Sequence, residues 1–205
     1  MFVVLKTFIF SIIFILGCNT SLNIKKNFSL NKKQIEKTIH RWNVIIKNAS
    51  IKYNVDEKLI KSIIYVESSG NTFARSSSNA IGLMQIKPSA AGLDIYRLIG
   101  KKGKPSIKEL YNPQTNINIG TSYIHLLQKR NLFGIKNKEI MRYATIVAYV
   151  NGTNALLKIF AKNQDEAIKI INSITIKKFF QYIKKHPSKQ ASNYLEKVIK
   201  VYKLI

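Results

Sequence analysis

The sequence predicts an all-α domain with at most one small β-hairpin, and three observations lead to this prediction. The chain has 205 residues, of which 46% are hydrophobic and 21% charged, a composition that suits one globular domain with a buried core. It contains nine Gly and four Pro, too few for the many turns of a β-sandwich. Apolar residues recur at helical spacing from Gln34 onward.

The predicted helices follow one another with short breaks. The first helical face is formed by Ile35, Ile39, Trp42, Ile45, Ile46 and Ala49. Asn54 and Asp56 are placed to cap a second helix that runs to about Ser68. Residues 71–80 are polar and turn-rich, and residues 81–86 form a short apolar piece that could be extended. Later helices are predicted to begin at Pro88, Asn112-Pro113 and Asn137, with three short ones at Asp165, Thr175 and Ser188.

The start of the chain carries a signal-like segment that ends in its single cysteine. The apolar run over residues 7–16 is shorter than the ~20 residues of a transmembrane helix, but it has the length of a signal-peptide core. The run ends in Ile15-Leu16-Gly17-Cys18, which resembles the bacterial lipobox, where the cysteine thiol is acylated. One cysteine also excludes an intrachain disulfide.

We therefore expect residues 1–17 to be a lipoprotein signal peptide and Cys18 to carry the lipid. Residues 18–33 are rich in Asn, Ser and Lys without periodicity, which predicts a flexible tether and leaves residues 34–205 as the folded domain. Asn19, rather than an aspartate, follows the cysteine, and this favours an outer-membrane anchor that faces the periplasm. The alternative is an ordinary buried cysteine after a short apolar helix.

The chain is strongly basic, with 34 Lys and Arg against 10 Asp and Glu and a formal net charge of +24. Only five of the basic residues are Arg. Because recognition of nucleic acid relies on arginine forks, we expect no nucleic-acid partner. A basic surface equally suits another polyanion, such as a polymer that carries peptide carboxylates. His40, His125 and His186 stand alone and no phosphate-binding glycine pattern is present, so we expect neither a metal nor an organic cofactor.

Glu67 is the acidic residue in the most unusual position. Eight of the other nine acids lie beside lysines or at predicted helix starts, and Asp94 lies in a mixed segment. Three isoleucines precede Glu67 by seven, four and three residues: Ile60, Ile63 and Ile64. These spacings place the carboxyl group on the apolar face of a helix, where we expect its pKa to rise from about 4.3 to about 6–7, as suits a general acid. The alternative is that Glu67 ends the helix and turns into solvent.

Neutral polar and aromatic side chains follow Glu67 along the chain. The polar ones are Ser76, Ser78, Asn79 and Gln85, and Tyr149 and Asn151 lie at the end of a strongly apolar helix. One protonatable carboxyl group among amides, hydroxyls and aromatic rings is typical of a site that binds sugars.

Four motifs in the same order resemble those of the family 1 lytic transglycosylases, which share the SLT domain. They are Val66-Glu67-Ser68-Ser69-Gly70-Asn71, Asn79-Ala80-Ile81-Gly82-Leu83-Met84-Gln85, the helix from Asn112-Pro113 to Tyr123, and Tyr149-Val150-Asn151-Gly152. The similarity covers about residues 45–200 and is closest to the endo-type, membrane-bound members. Val150 departs from the commoner Tyr-Asn spacing, which we attribute to subtype, and Ser69 replaces a common Gly. The resemblance implies a goose-type lysozyme-like fold with a groove for a glycan strand.

The resemblance also implies roles for individual residues. Glu67 matches the catalytic acid and base, Ser76 and Ser78 match hydroxyls beside the scissile bond, and Tyr194 matches a late aromatic near the catalytic carboxyl group. The glycan-binding motifs contain Gln85, Tyr149 and Asn151. The implied reaction cleaves the β-1,4 bond between N-acetylmuramic acid and N-acetylglucosamine in peptidoglycan strands and leaves 1,6-anhydro ends, in a monomer without cofactors.

Two alternatives stay open at this point. A lysozyme-type hydrolase on the same fold would use a second carboxylate, and no other acid is convincingly placed for that role. A basic protein that binds the cell wall or nucleic acid would leave Glu67 idle, although the signal segment disfavours the nucleic-acid version.

Overall fold

A computed structural model describes residues 31–185 and 189–205. The predicted signal peptide, Cys18 and most of the predicted tether lie outside the described residues. Within the described residues, eleven α-helices form the fold, and no strand is present beyond the isolated bridges Arg75–Ile81 and Ile81–Ile86. The predicted all-α class is confirmed. None of the helices in residues 31–185 and 189–205 has both the length and the apolar character needed to cross a membrane.

The helices are α1 (Lys32–Ile39), α2 (Asn43–Tyr53), α3 (Glu57–Ser68), α4 (Leu93–Leu98), α5 (Ile107–Tyr111), α6 (Pro113–Leu126), α7 (Lys138–Asn151), α8 (Thr153–Leu157), α9 (Gln164–Ser173), α10 (Ile176–Lys185) and α11 (Lys189–Leu204). A 3₁₀ turn over His40–Trp42 joins α1 to α2. π-helical turns over Pro88–Gly92 and Leu127–Asn131 precede α4 and follow α6. Helix α1 thus begins two residues before residue 34, the expected start of the folded domain.

Side-chain caps fix the starts of the helices that carry the motifs. The Asp56 carboxylate accepts a hydrogen bond from the backbone N–H of the second residue of α3, and Asn112 and Asn137 cap α6 and α7 in the same manner. These three starts lie where the sequence predicted them, because Asp and Asn satisfy the free N–H groups of a first turn. Helix α9 is capped by Asn163, so Asp165 lies inside its first turn. Helix α11 has 16 residues and is not the short element that was predicted.

Helix α3 lies at the centre of the fold. It packs against α1, α2 and α11, and α11 packs in turn against α7. The isoleucines Ile60, Ile63 and Ile64 are completely buried in these contacts. Burial of each such side chain contributes about 1.5–3 kcal/mol, so the end of α3 is held rigidly.

A six-residue loop from Ile81 to Ile86 lies between the ends of α3, α6 and α7. The sequence suggested an extended piece here, but the backbone groups of Ile81 and Ile86 bond to each other in both directions and close the segment into a tight turn. Gly82 lies in this turn at φ +76°, and a Cβ atom there would come 2.3 Å from Asn116 Nδ2. Only glycine accommodates both the backbone conformation and this close packing.

Three side chains, one from each helix, hold the loop. The Ser68 hydroxyl at the end of α3 donates to the Leu83 carbonyl over 2.8 Å. The Tyr149 hydroxyl from α7 donates to the Met84 carbonyl over 2.7 Å. The buried Asn116 amide from α6 accepts from the Met84 N–H and donates to the carbonyls of Ile81 and Leu110, at 2.7–2.9 Å. These bonds fix one wall of the site relative to the three helices.

Candidate active site

Glu67 lies in the last turn of α3 and points inward. Of the two orientations that the sequence allowed, the structure has the buried one. Burial raises the pKa of the Glu67 carboxyl group to about 7, and the hydrogen bond from Tyr194, which favours the ionised form, partly opposes this rise. The Tyr194 hydroxyl of α11 donates to Glu67 Oε1 over 2.6 Å, so one carboxyl oxygen is occupied by the protein.

Glu67 opens onto a cavity of about 430 Å³. The cavity is lined by Glu67, Ser76, Ser78, Ala80, Gln85, Ile86, Lys87, Ala90, Ala91, Tyr123, Tyr149, Val150, Asn151, Gly152 and Gln190. Six of the seven site residues predicted in the folded domain are therefore brought together. The seventh, Tyr194, does not line the cavity but donates a hydrogen bond to Glu67, which does.

The two predicted serines lie on a tight turn at one edge of the cavity. The Ser76 hydroxyl accepts a hydrogen bond from the Ala80 N–H over 3.0 Å and lies 3.1 Å from the Ser78 hydroxyl. Arg75 supports the same turn through a 2.9 Å bond to the Asn79 side chain. Ser76 therefore holds the turn, whereas Ser78 is exposed and presents its hydroxyl group to the cavity.

Gln85 and Tyr149 have structural partners that the sequence did not predict. The Gln85 amide donates to the carbonyls of Ala74 and Gly82, at 3.2 and 3.0 Å, and the Tyr149 hydroxyl is engaged with the loop. Their polar donors therefore stabilise the wall, while the Tyr149 ring faces the cavity. Asn151 differs, because its side chain makes no hydrogen bond to any described residue and is free for a ligand.

Tyr123 and Gln190 also line the cavity and were not among the predicted site residues. The rings of Tyr123 and Tyr149 meet edge to face with their centroids 5.7 Å apart, which gives the cavity a continuous aromatic wall. The position of Tyr123 in the central-helix motif was the signal for its role. Gln190 lies one turn before Tyr194 on α11, and it reaches the cavity because α11 packs against α3 and α7.

The other nine acidic residues lie elsewhere, and all of them belong to the described part of the chain. Glu36, Glu57 and Glu196 pair with lysines. Asp56 caps α3 and accepts a hydrogen bond from Tyr202. Glu109 accepts from the Ser106 N–H in the capping box of α5 and from Tyr96, and Glu139 bonds to Tyr143. Asp165 and Glu166 lie in the first turn of α9, and Asp94 in that of α4. Glu67 is thus the only carboxyl group among the described residues that lines the cavity. Residues 31–185 and 189–205 contain no His, Cys, Asp and Glu cluster that could hold a metal ion.

Comparison with known proteins gives consistent matches. A family model for the transglycosylase SLT domain matches residues 44–172. The chain is 62% identical over 180 residues to membrane-bound lytic murein transglycosylase E of Buchnera aphidicola subsp. Acyrthosiphon pisum, covering 86% of this chain and 81% of that protein. It is 40% identical over 197 residues to an endo-type membrane-bound lytic murein transglycosylase A of Klebsiella pneumoniae, covering 96% and 97%.

Two solved structures share the fold. The 70 kDa soluble lytic transglycosylase of Escherichia coli aligns with a TM-score of 0.62 at 23% identity, over 83% of this chain and 25% of that one. An inactive mutant of lytic transglycosylase Slt from Pseudomonas aeruginosa aligns with a TM-score of 0.59 at 20% identity, over 80% and 23%. This chain therefore spans about a quarter of either protein. The likeness confirms the predicted lysozyme-like fold.

Proposed function

This chain belongs to the transglycosylase SLT domain family, and on that premise we propose that it is a lytic murein transglycosylase with Glu67 as its general acid and base. The observation that carries this proposal is the placement of one buried carboxyl group, with a pKa raised to about 7, in a cavity that holds no second carboxyl group. Near neutral pH such a group is present in both protonation states, so one residue can give and then take a proton.

The proposed reaction begins with Glu67 as an acid. Because Tyr194 occupies Oε1, the proton is carried by Oε2 and passes to the glycosidic oxygen between N-acetylmuramic acid and N-acetylglucosamine. The bond from the muramyl C1 to that oxygen breaks and the N-acetylglucosamine side leaves as an alcohol. The Glu67 carboxylate then takes the proton of the muramyl C6 hydroxyl, while the oxygen of that hydroxyl bonds to C1. The product is a 1,6-anhydro ring, Glu67 is protonated again, and no water is consumed.

The intramolecular attack explains why one carboxyl group suffices. A hydrolase with two carboxylates uses the second as a nucleophile or to activate water. Here the C6 hydroxyl is already attached to the reacting sugar, which lowers the entropic cost of the attack. Tyr194 acts as a positioning residue, since its hydrogen bond orients the carboxyl group and moderates its pKa.

The remaining cavity residues are proposed to bind the glycan strand. Ser78 and Asn151 offer polar groups, and the rings of Tyr123 and Tyr149 offer an apolar wall for a sugar face. Ser76 and Gln85 act through the loops that they hold. Cleavage within strands is supported by relatives named as endo-type enzymes that cover nearly the whole chain.

Membrane association accords with the relatives named as membrane-bound. We infer that a lipid on Cys18 anchors a monomer in the outer membrane, with the catalytic domain in the periplasm. The lipobox-like sequence supports this inference, and no nucleic-acid partner is required.

The test is digestion of purified peptidoglycan sacculi by the full chain in detergent, with product masses measured by mass spectrometry. We expect muropeptides that are one water lighter than hydrolysis products. Glu67→Gln should lower the rate at least about a hundredfold, whereas the control Glu36→Gln, which removes an exposed carboxylate paired with Lys32, should not. Products with reducing ends would establish a lysozyme-type hydrolase, and binding without products would establish a non-catalytic wall-binding protein.

A further inference from the structure

A second, open cavity of about 590 Å³ has lining residues that are near neighbours of those that line the cavity at Glu67. Three such pairs place the two cavities close together. Asp94 on α4 follows Ala91 by three residues, and Leu126 on α6 follows Tyr123 by three. In the third pair, Asn131 donates to the Thr153 hydroxyl over 3.2 Å, and Thr153 is the neighbour of Gly152. We call this second cavity, lined by Asp94, Arg97, Leu98, Leu126, Arg130 and Asn131, the groove extension.

Two arginines from different elements line the groove extension, Arg97 from α4 and Arg130 from the π-helical turn after α6. All five arginines of the chain lie in the described residues, and the other three have partners. Arg41 lies over the Trp42 ring, Arg142 over the Tyr202 ring, and Arg75 bonds to Asn79. Neither Arg97 nor Arg130 makes a side-chain hydrogen bond, ion pair or ring contact with any described residue. Their ten or so guanidinium N–H donors are therefore available to a ligand.

The acidic residue of the groove extension restricts what that ligand can be. Asp94 lies on the same wall as Arg97 and forms no ion pair within the described part of the chain. Its charge repels a uniform polyanion such as a phosphate backbone, but it accommodates a ligand that carries both carboxylate and ammonium groups. Arginine forks match the planar geometry of carboxylates.

We propose that the groove extension binds the carboxylates of a peptide attached to the glycan strand, with Arg97 and Arg130 as the ligating groups and Asp94 as the partner of a peptide ammonium. This proposal rests on the proposed function, because it assumes that the strand lies in the adjoining cavity. The groove extension then makes peptide-bearing strands better substrates than bare glycan.

The experiment compares two substrates, soluble glycan strands with their peptides and the same strands after an amidase has removed them. The measured quantity is the ratio of kcat/KM for the peptide-bearing over the bare strands, for the full chain and for an Arg97→Gln/Arg130→Gln double variant. Charge-assisted hydrogen bonds predict that the double variant lowers this ratio about tenfold to a hundredfold. The control is Lys162→Gln/Lys177→Gln, which removes the same charge from exposed positions outside both cavities and should leave the ratio unchanged.

Three outcomes would overturn the proposal: a ratio near one for the unmodified chain, a ratio that the double variant leaves unchanged, or an equal fall in the lysine control. Binding of both strands to Glu67→Gln, measured by calorimetry, separates this proposal from the proposed function. Cleavage of neither strand by the unmodified chain refutes the function. In that case, tighter binding of the peptide-bearing strand to Glu67→Gln that is lost when Arg97 and Arg130 are also replaced still supports peptide binding in the groove extension. Equal affinities of Glu67→Gln for the two strands refute it.

Discussion

Replacement of Glu67 by glutamine should stabilise the protein in a pH-dependent manner. Burial raises the pKa of the Glu67 carboxyl group from its ordinary value of 4.5 to about 7, so the folded protein holds a proton that the unfolded chain releases. As the pH rises through 4.5 the unfolded state is increasingly favoured, and the loss of stability is complete only above about pH 7. Since each tenfold change in a proton equilibrium is worth about 1.4 kcal/mol, the total loss is about 3 kcal/mol.

Glutamine has nearly the same shape, accepts the same hydrogen bond from Tyr194 and carries no charge at any pH. The free energy of unfolding of Glu67→Gln minus that of the unmodified chain should therefore increase by up to about 3 kcal/mol between pH 4.5 and pH 8. Urea denaturation at a series of pH values, followed by circular dichroism, measures this difference. Glu36→Gln serves as the control, because its carboxylate is exposed and should give a difference that is nearly flat with pH.

A flat difference for Glu67→Gln over the same pH range would refute the reasoning. It would show that the carboxyl group is solvated in the folded protein, which would remove the physical basis for a general acid with a raised pKa. A difference that decreases with pH would show a stabilised carboxylate and an opposite shift of the pKa.

Three further predictions concern the positioning of Glu67, the loop that forms one wall of the site, and the membrane anchor of the protein. Tyr194→Phe removes the hydrogen bond that lowers the pKa of Glu67, so the alkaline limb of the kcat/KM profile should move to higher pH; Tyr202→Phe is the matched control, and an unmoved limb contradicts the assigned role. Asn116→Ala leaves the Met84 N–H and the Leu110 carbonyl without partners and removes one of the two hydrogen bonds to the Ile81 carbonyl, so it should lower the free energy of unfolding by roughly 2 kcal/mol or more in urea denaturation; a loss below about 1 kcal/mol would mean that the loop is held by other contacts. Cys18→Ser should move the protein from the membrane fraction of cells to the soluble fraction, and its measured mass should lack that of a lipid. A variant that stays in the membrane fraction with an unchanged mass would refute the lipid anchor.

The elements of the fold that could be predicted are those encoded by neighbouring residues. The starts of α3, α6 and α7 follow from single capping side chains, Asp56, Asn112 and Asn137, which act on N–H groups two or three residues away. The inward orientation of Glu67 was one of two possibilities, because helical spacing defines a face but does not determine where the helix end meets the rest of the protein. The packing of α11 against α3 decides that question.

The parts that could not be predicted depend on contacts between distant segments. Tyr194 and Glu67 are 127 positions apart, so no local pattern encodes their hydrogen bond, and only the family resemblance led us to expect Tyr194 near the carboxyl group. Gln85 and Tyr149 were assigned to the site by their motifs, but the motifs could not show that their donors also hold a loop. Likewise, Arg97 and Arg130 line one cavity only because of how α4 packs against α6.

The loop at Ile81–Ile86 also has a consequence for the order of folding. Its three supports, Ser68, Asn116 and Tyr149, come from helices that become neighbours only when the core has assembled. Closing these long-range contacts is entropically costly, so the wall of the site forms with, and not before, the cooperative collapse of the whole domain. A partly folded chain therefore lacks a formed cleft beside Glu67. Lytic activity therefore requires complete folding, and a misfolded copy should not cleave peptidoglycan.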